Sequence, residues 1–503
     1  MTLSPFATLP PSHYINGNWI VGTGTTVFTS INPANPVQVI GTFTQATPAD
    51  VDFAVCSAKQ ALPAWQATPA PKRGALLFKL ADYIQQHKEQ WAAEMALEMG
   101  KPLSEARGDV QEAIEMATFM GGEGRRLNGF HTPSEFPNKW LLAVRQPVGV
   151  CGLITPWNFP IAVPSWKLFP ALVAGNTVVF KPAEQAPLMG QRLVEACASV
   201  GFPAGVVNLV QGSGEITGNA LVQHPDINLI SFTGSTQTGK QIASICAEQH
   251  KLCAMELGGK NACIVWHDAN IPLAVEGLLW GAFGTAGQRC TATSRLIIHP
   301  DIKKEVLTAL LARIQMLTIG DPTQETTQLG PLIEQTAIER TERMVTEAQQ
   351  QGATVLAGGH RLCEAGYNNG YFYAPTILDN VKPDMNIAQE EVFAPVLSVL
   401  TAETLEEAIT IANGVRYGLS GAIYTQNMGL AMQVVEQLSV GLAYINAPTI
   451  GAETHVPFGG VKQSGNGHRE ASAAVLDTYT QWKTITIEGT TTLRKAQMDE
   501  VSS

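Results

Sequence analysis

The chain has 503 residues, 45% of them hydrophobic and 15% charged, and carries a formal net charge of −11 at pH 7. This length exceeds what one hydrophobic core organises, so two or more domains are expected. The acidic balance excludes a basic nucleic-acid groove, and no apolar run is long enough to span a bilayer.

Met1 to Pro11 has neither the basic and apolar regions of a signal peptide nor the Arg-rich amphipathic character of a transit peptide. The eight cysteines are scattered without C-x-x-C pairs, which signals neither a metal site nor a disulfide framework. A reducing, cytoplasmic setting is the expectation.

Residues 58 to 126 read as mostly helical, with apolar positions at three-to-four spacing in Gly74 to His87 and Asp109 to Met120, and serve as scaffold. From Gly149 short β-rich runs alternate with helical segments. Gly149 to Ile154, Thr177 to Phe180, Val206 to Val210 and Leu229 to Phe232 are strand candidates. Ala162 to Ala174, Leu188 to Val200 and Glu215 to Gln223 are the helices between them. This alternation predicts a parallel sheet covered by helices, with ligands outside the carboxyl ends of the strands. A second α/β run extends from Gly258 to about Asn446, with strands at Ala262 to Val265, Ser294 to Ile298, Pro395 to Leu400 and Leu442 to Ile445. Trp140 to Arg145 and Tyr479 to Ile487 lack neighbouring partners; they either pair with each other and offer an edge to a second subunit, or form an ordinary edge hairpin.

Several residues fall where chemistry is expected. Phe283-Gly-Thr-Ala-Gly-Gln-Arg-Cys290 places one cysteine in a Gly-rich loop between an apolar helix and a strand, a setting for a nucleophile. The competing reading of Cys290 is a small buried hydrophobe. Gly234-Ser-Thr-Gln-Thr-Gly239 suits a phosphate, with a helix expected from near Lys240, or is only a strand-to-helix turn. Lys181 and Glu184 stand at a strand end where ribose hydroxyls could be held, or are solvated charges. Glu256 leaves an apolar strand into a Gly-Gly turn, as a general base of raised pKa or as a structural glutamate. Asn158 follows Thr-Pro-Trp, as an oxyanion donor or a turn residue.

The blocks Thr155-Pro-Trp-Asn-Phe-Pro160, Lys181-Pro-Ala-Glu184, Phe232-Thr-Gly-Ser235, Met255-Glu-Leu-Gly-Gly-Lys260, Gly287-Gln-Arg-Cys290, Glu390-Glu-Val-Phe-Ala-Pro395 and Pro457-Phe-Gly-Gly460 occur in one order. In this the chain resembles the aldehyde dehydrogenase superfamily over nearly its whole length. The resemblance implies an α/β fold with a Rossmann-like cofactor domain (residues 1–127 and 148–256), a catalytic domain (257–476) and an oligomerisation arm (128–147 and 477–503). It further implies that Cys290 attacks the aldehyde, that Asn158 and the Cys290 amide hold the oxyanion, and that Glu256 activates the cysteine or, more securely, the water that hydrolyses the thioester. NAD is the implied cofactor, with NADP the alternative. Lys181 and Glu184 would hold the adenosine ribose, Gly234 and Ser235 the pyrophosphate, and Glu391 with Phe393 the nicotinamide ribose. Thr155, Pro156, Trp157, Leu257 and Gly258 would complete that site.

Ala394 departs from the glycine of the commonest pattern. With Gly287-Gln-Arg-Cys-Thr-Ala292 and Asn446-Ala-Pro-Thr-Ile-Gly-Ala-Glu453, it most resembles the branch containing α-aminoadipic semialdehyde dehydrogenase and related semialdehyde enzymes. Arg289 could then meet a distal carboxylate, or is a loop arginine that points into solvent or pairs structurally; Glu453 could meet an amino group, or only fixes its loop. A homodimer or homotetramer acting on a small aldehyde, with no nucleic-acid or membrane partner, is implied. The alternatives are a CoA-acylating enzyme, a non-phosphorylating glyceraldehyde-3-phosphate dehydrogenase, and a non-catalytic NAD-binding protein.

Overall fold

In a computed structural model, residues 11–489 other than 365 and 368 are described, and among them three sheets organise the chain. The first has the strand order Leu252–Glu256, Leu229–Thr233, Val150–Ile154, Thr177–Lys181, Val207–Leu209, His13–Ile15 and Asn18–Ile20. Its first five strands are parallel, and the last two form an antiparallel hairpin against Leu209. Val150–Ile154 and Thr177–Lys181 are buried at every position, as strands covered by helices on both faces must be.

Local sequence accounts for the connections. Thr47 and Asp50 form a reciprocal capping box that starts the helix Pro48–Ala67. The helix Ala162–Ala174 ends at Gly175, whose φ of 100° is the left-handed conformation that stops a helix between two strands. The long helices Ala70–Met99 and Leu103–Glu123 pack on each other and on Ala162–Ala174. They close one face of the first sheet around Trp91, Met95, Met116, Met120 and Phe169.

The second sheet runs Thr354–Ala357, Thr376–Asp379, Val396–Thr401, Thr293–Ile298, Asn261–Val265, Ser420–Tyr424 and Leu442–Ile445. All pairs are parallel except the edge strand Thr354–Ala357, and its helices bury a separate core around Leu278, Leu296, Ile297, Val399 and Ile423. The strand Leu252–Glu256 ends the first sheet, and after the Leu257–Lys260 turn Asn261–Val265 enters the second.

The third sheet joins distant parts of the chain. Lys139–Pro147 pairs antiparallel with Thr480–Glu488 in register from Pro147↔Thr480 to Lys139↔Glu488, and Phe130–Pro133 adds the third strand. Phe130, Trp140, Trp482 and Ile487 are exposed on this sheet. Among the described residues no helix is long and apolar enough to cross a membrane.

Candidate active site

The loop carrying Cys290 is bent by conformations that must be held in place. After the apolar helix Ile271–Phe283, Thr285 and Ala286 adopt left-handed φ of 52° and 53°, each costing roughly 1–2 kcal/mol for a non-glycine residue. Gly287 follows at φ 70°, and a Cβ there would stand 2.2 Å from the Ala394 carbonyl oxygen. Only glycine lets the nucleophile loop pass so close to the loop of Glu391 and Phe393.

Five separate segments clamp this loop. Glu105 accepts from the Thr285 N–H at 3.0 Å and from its hydroxyl at 2.5 Å, and its Oε2 also pairs with Arg289 Nη2. The Ile333 amide donates to Gln288 Oε1 at 2.9 Å, while Asn261 Nδ2 donates to the Cys290 carbonyl at 2.8 Å. Thr449 Oγ1 donates to the Thr291 carbonyl at 2.7 Å. Asn158 Nδ2 donates to the Gln288 carbonyl at 2.9 Å, which leaves its second amide hydrogen for another acceptor.

The clamped loop presents Cys290 to a cavity of about 400 Å³ whose walls include Glu256, Phe159, Trp166, Trp280 and Phe458. Part of the cysteine surface faces this cavity, but the residue sits deep enough that burial, with Glu391 and Glu256 nearby, pushes its thiol up to about 12. It rests as the thiol, so a nearby base and hydrogen-bond donors must help it react.

Glu256 closes the strand Leu252–Glu256, is 4% exposed, and has no hydrogen-bond partner on either carboxyl oxygen among the described residues. Burial and the nearby Glu470 raise its pKa well above the ordinary carboxyl value. Lys167, Arg469 and the Gly460 amide oppose that shift without reversing it, and the amide is too poorly placed to close a hydrogen bond. Lys167 spends its charge on Glu470 at 2.6 Å. Gly459, at φ 151°, stands where a Cβ would lie 2.7 Å from Glu256 Oε1, so glycine in Pro457-Phe-Gly-Gly460 gives the carboxyl room.

A second cleft of about 630 Å³ opens at the carboxyl ends of Val150–Ile154, Thr177–Lys181 and Leu229–Thr233, where a parallel sheet collects ligands. Thr155, Pro156, Trp157, Lys181, Glu184 and Gly234 line it. Thr155 Oγ1 is buried there without a hydrogen-bond partner among the described residues. Lys181 Nζ lies 3.0 Å from Glu184 Oε2, and burial holds its ammonium below the ordinary lysine range. The helix expected from near Lys240 begins earlier, at Thr236, because the Ser235 hydroxyl caps it by accepting from the Thr238 N–H at 3.2 Å.

Glu391 Oε1 accepts from the Gly259 N–H at 2.9 Å, and a Cβ on Gly258 would meet Glu391 Oε2 at 2.4 Å. Burial raises this carboxyl to about 7. Phe393, at φ 58°, packs edge-on against Trp157 with ring centres 5.7 Å apart. Leu257 lies on the wall of the Cys290 cavity, its side chain filling the space a Cβ on Gly239 would need. A polar cradle with an orphaned hydroxyl and an N-capped helix suits a dinucleotide.

The two residues offered for substrate are placed differently from the others. Arg289 reaches the cavity, but its guanidinium pairs with Glu105, donates to Thr285 Oγ1 at 3.0 Å and lies over the Trp280 ring. Glu453 is exposed and 3.3 Å from His455, outside the cavity wall to which Gly451 and Ala452 contribute. Sequence reasoning passed over Glu105, Asp109 and Glu112. Their i, i+4, i+7 spacing on Leu103–Glu123 was the available signal, and all three line the cavity.

Residues 19–485 match the aldehyde dehydrogenase family. The chain belongs to that family. This aldehyde dehydrogenase is 39% identical to the α-ketoglutaric semialdehyde dehydrogenase of Bacillus subtilis over 476 residues, 95% of this chain and 98% of that protein. It is 38% identical to a betaine aldehyde dehydrogenase of Rhizobium etli over 476 residues, covering 94% of this chain and 96% of the relative. Among solved structures, the betaine aldehyde dehydrogenase of Staphylococcus aureus in complex with NAD+ superposes with a TM-score of 0.94 at 36% identity, covering 96% of each chain.

Proposed function

We propose that this aldehyde dehydrogenase oxidises an aldehyde to the carboxylic acid with NAD, through a covalent intermediate on Cys290. The observation that carries the reading is the convergence of Cys290 and Glu256 on one cavity, with the Asn158 amide held against the nucleophile loop.

In this reading the Cys290 thiol gives its proton to solvent through Glu256 as Sγ attacks the carbonyl carbon, and the C=O electron pair moves onto oxygen. The oxyanion is received by the free hydrogen of Asn158 Nδ2 and the Cys290 backbone N–H. Bound in the second cleft, NAD would supply the two-electron acceptor that turns the thiohemiacetal into a thioester. Glu256 then takes a proton from water as the water attacks the thioester, and the Cys290 thiolate leaves. Glu256 supports hydrolysis in preference to transfer of the acyl group to CoA.

For the cofactor, Lys181 and Glu184 suit the adenosine ribose, Gly234 and Ser235 the pyrophosphate, and Glu391 with Phe393 the nicotinamide ribose. Thr155, Pro156, Trp157, Gly258 and Leu257 complete the walls. Glu184 would repel a 2′-phosphate, and Lys181 is already committed to Glu184, which supports NAD over NADP. The names of the relatives support a semialdehyde or a betaine-type aldehyde as substrate. The first sheet with its helices is the cofactor domain in this reading, and the second sheet is the catalytic domain. The exposed edge strand Thr480–Glu488 supports pairing with a second copy, and the composition supports a cytoplasmic setting. NADH formation with NAD and NADP across an aldehyde panel tests the reading. Turnover that survives Cys290→Ser overturns it.

A further inference from the structure

Three consecutive residues ahead of the nucleophile turn left-handed: Thr285 at φ 52° and ψ 32°, Ala286 at φ 53° and ψ 36°, and Gly287 at φ 70°. Glycine adopts this conformation readily, alanine does not, and a β-branched threonine is a genuine outlier there. Such a turn persists only where its surroundings over-determine it. Released, Thr285 and Ala286 would return to the right-handed or extended regions and carry Cys290 with them.

The hold on the turn comes from outside it. The Thr285 N–H and hydroxyl both donate to the Glu105 carboxylate, and Arg289 donates to both Glu105 Oε2 and Thr285 Oγ1, a closed ring of four bonds. The ring spans the turn from its first residue to the neighbour of the nucleophile. Glu105 is 8% exposed, and bonds to a charged acceptor shielded from water are among the stronger ones. The platform under it is fixed. Glu105 stands in the first turn of Leu103–Glu123, where the Leu103 N–H donates to the Pro322 carbonyl at 2.9 Å and Arg107 meets both oxygens of Glu325 at 2.7 Å. The same helix is buried in the core of the first sheet through Leu103, Ala106 and Val110. A loop that leads into the second sheet is therefore set by a helix of the first.

We propose that Glu105 is a positioning residue: its carboxylate holds the Thr285–Gly287 turn in the left-handed state that aims Cys290 at the aldehyde, and the turn relaxes when that hold is removed. The proposal rests on the oxidation through Cys290 proposed above. Glu105 acts on the nucleophile through Thr285 and Arg289, and takes no proton in the reaction.

Glu105→Gln keeps the side-chain shape but turns amide donors towards groups that themselves donate. The rate of the first NADH turnover should fall about 10–100-fold, the scale of a misplacement of about 1 Å, with the affinity for NAD unchanged. Thr285→Val, which removes only the hydroxyl from the ring, should lower the same rate, and keeps the test open if the first variant does not fold. Relief of strain then separates positioning from general damage. Ala286→Gly removes the side chain that opposes the left-handed turn, so adding it to Glu105→Gln or to Thr285→Val should restore the first turnover by about fivefold or more. Added to Asn158→Ala it should restore nothing. No recovery in the first case, equal recovery in the second, or a wild-type first turnover in Glu105→Gln overturns the proposal. Alkylation of Cys290 by iodoacetamide needs no aldehyde: its rate should shift by about threefold or more in Glu105→Gln and return towards the wild-type value when Ala286→Gly is added. An unchanged rate overturns the proposal as well. If the wild-type protein oxidises no aldehyde with NAD, the reaction assignment fails, and the alkylation series still decides the role of Glu105.

Discussion

The Asn158 side-chain amide donates to the Gln288 carbonyl across 2.9 Å, tying the loop after Val150–Ile154 to the residue two places before Cys290. An oxyanion donor is thereby held against the nucleophile loop before substrate arrives. Asn158→Ala should lower kcat by about 100–1000-fold, the usual cost of removing one such donor. Steady-state kinetics with a thermal melt checks this. A fall in stability with kcat intact would assign the contact to packing alone.

Gly287 separates the nucleophile loop from Ala394. At φ 70°, with a Cβ 2.2 Å from a backbone oxygen, Gly287→Ala should destabilise the fold by about 1–3 kcal/mol and displace Cys290. Denaturant unfolding measures the first effect, and the rate of thiol alkylation the second.

Glu256 must be ionised to accept a proton, yet burial and Glu470 raise its pKa well above the ordinary carboxyl value. Its ionised fraction, and with it the hydrolysis of the thioester, therefore grows as pH rises towards the raised pKa. The pH profile of steady-state turnover should show that rising limb, and Glu256→Gln should remove it while lowering the plateau. An unchanged limb in the variant would assign the titration to another group.

His13 gives a prediction about stability. Its Nδ1 accepts from the Gln211 N–H at 3.1 Å, and burial lowers its pKa from 6.5 to about 4. Between those values the unfolded chain binds a proton that the folded chain refuses, so stability present above pH 6.5 is lost as the pH falls towards about 4. His13→Gln, which keeps an acceptor, should flatten that part of the stability curve. Chemical unfolding at a series of pH values measures the difference.

Periodicity and local signals carried the fold a long way. The helix Ala162–Ala174 was legible because its apolar run ends at Gly175, the Tyr479–Ile487 run because it alternates, and the Trp140–Arg145 run because it likewise has no nearby partner. The start of the helix at Thr236 was misplaced because the Ser235 cap lies inside the Gly-rich turn. The hairpin His13–Ile20 and the strands Thr354–Ala357, Thr376–Asp379 and Ser420–Tyr424 went unread, being short or set among helical segments. Of the site, Cys290, Glu256 and Asn158 stood out by their turns. Glu105 did not, because its bonds to Thr285 cross 180 residues of sequence. Glu112 was hidden in a helix whose apolar spacing reads as scaffold.

The central claim is that oxidation passes through an acyl group on Cys290. Mixing Glu256→Gln protein with an aldehyde substrate and NAD, then recording the intact mass after a rapid acid quench, tests this most directly. The account predicts a burst of NADH with a mass increase equal to the acyl group, located on Cys290 and absent when Cys290→Ser is added. NADH formation without that adduct, or with the adduct on another residue, would contradict it.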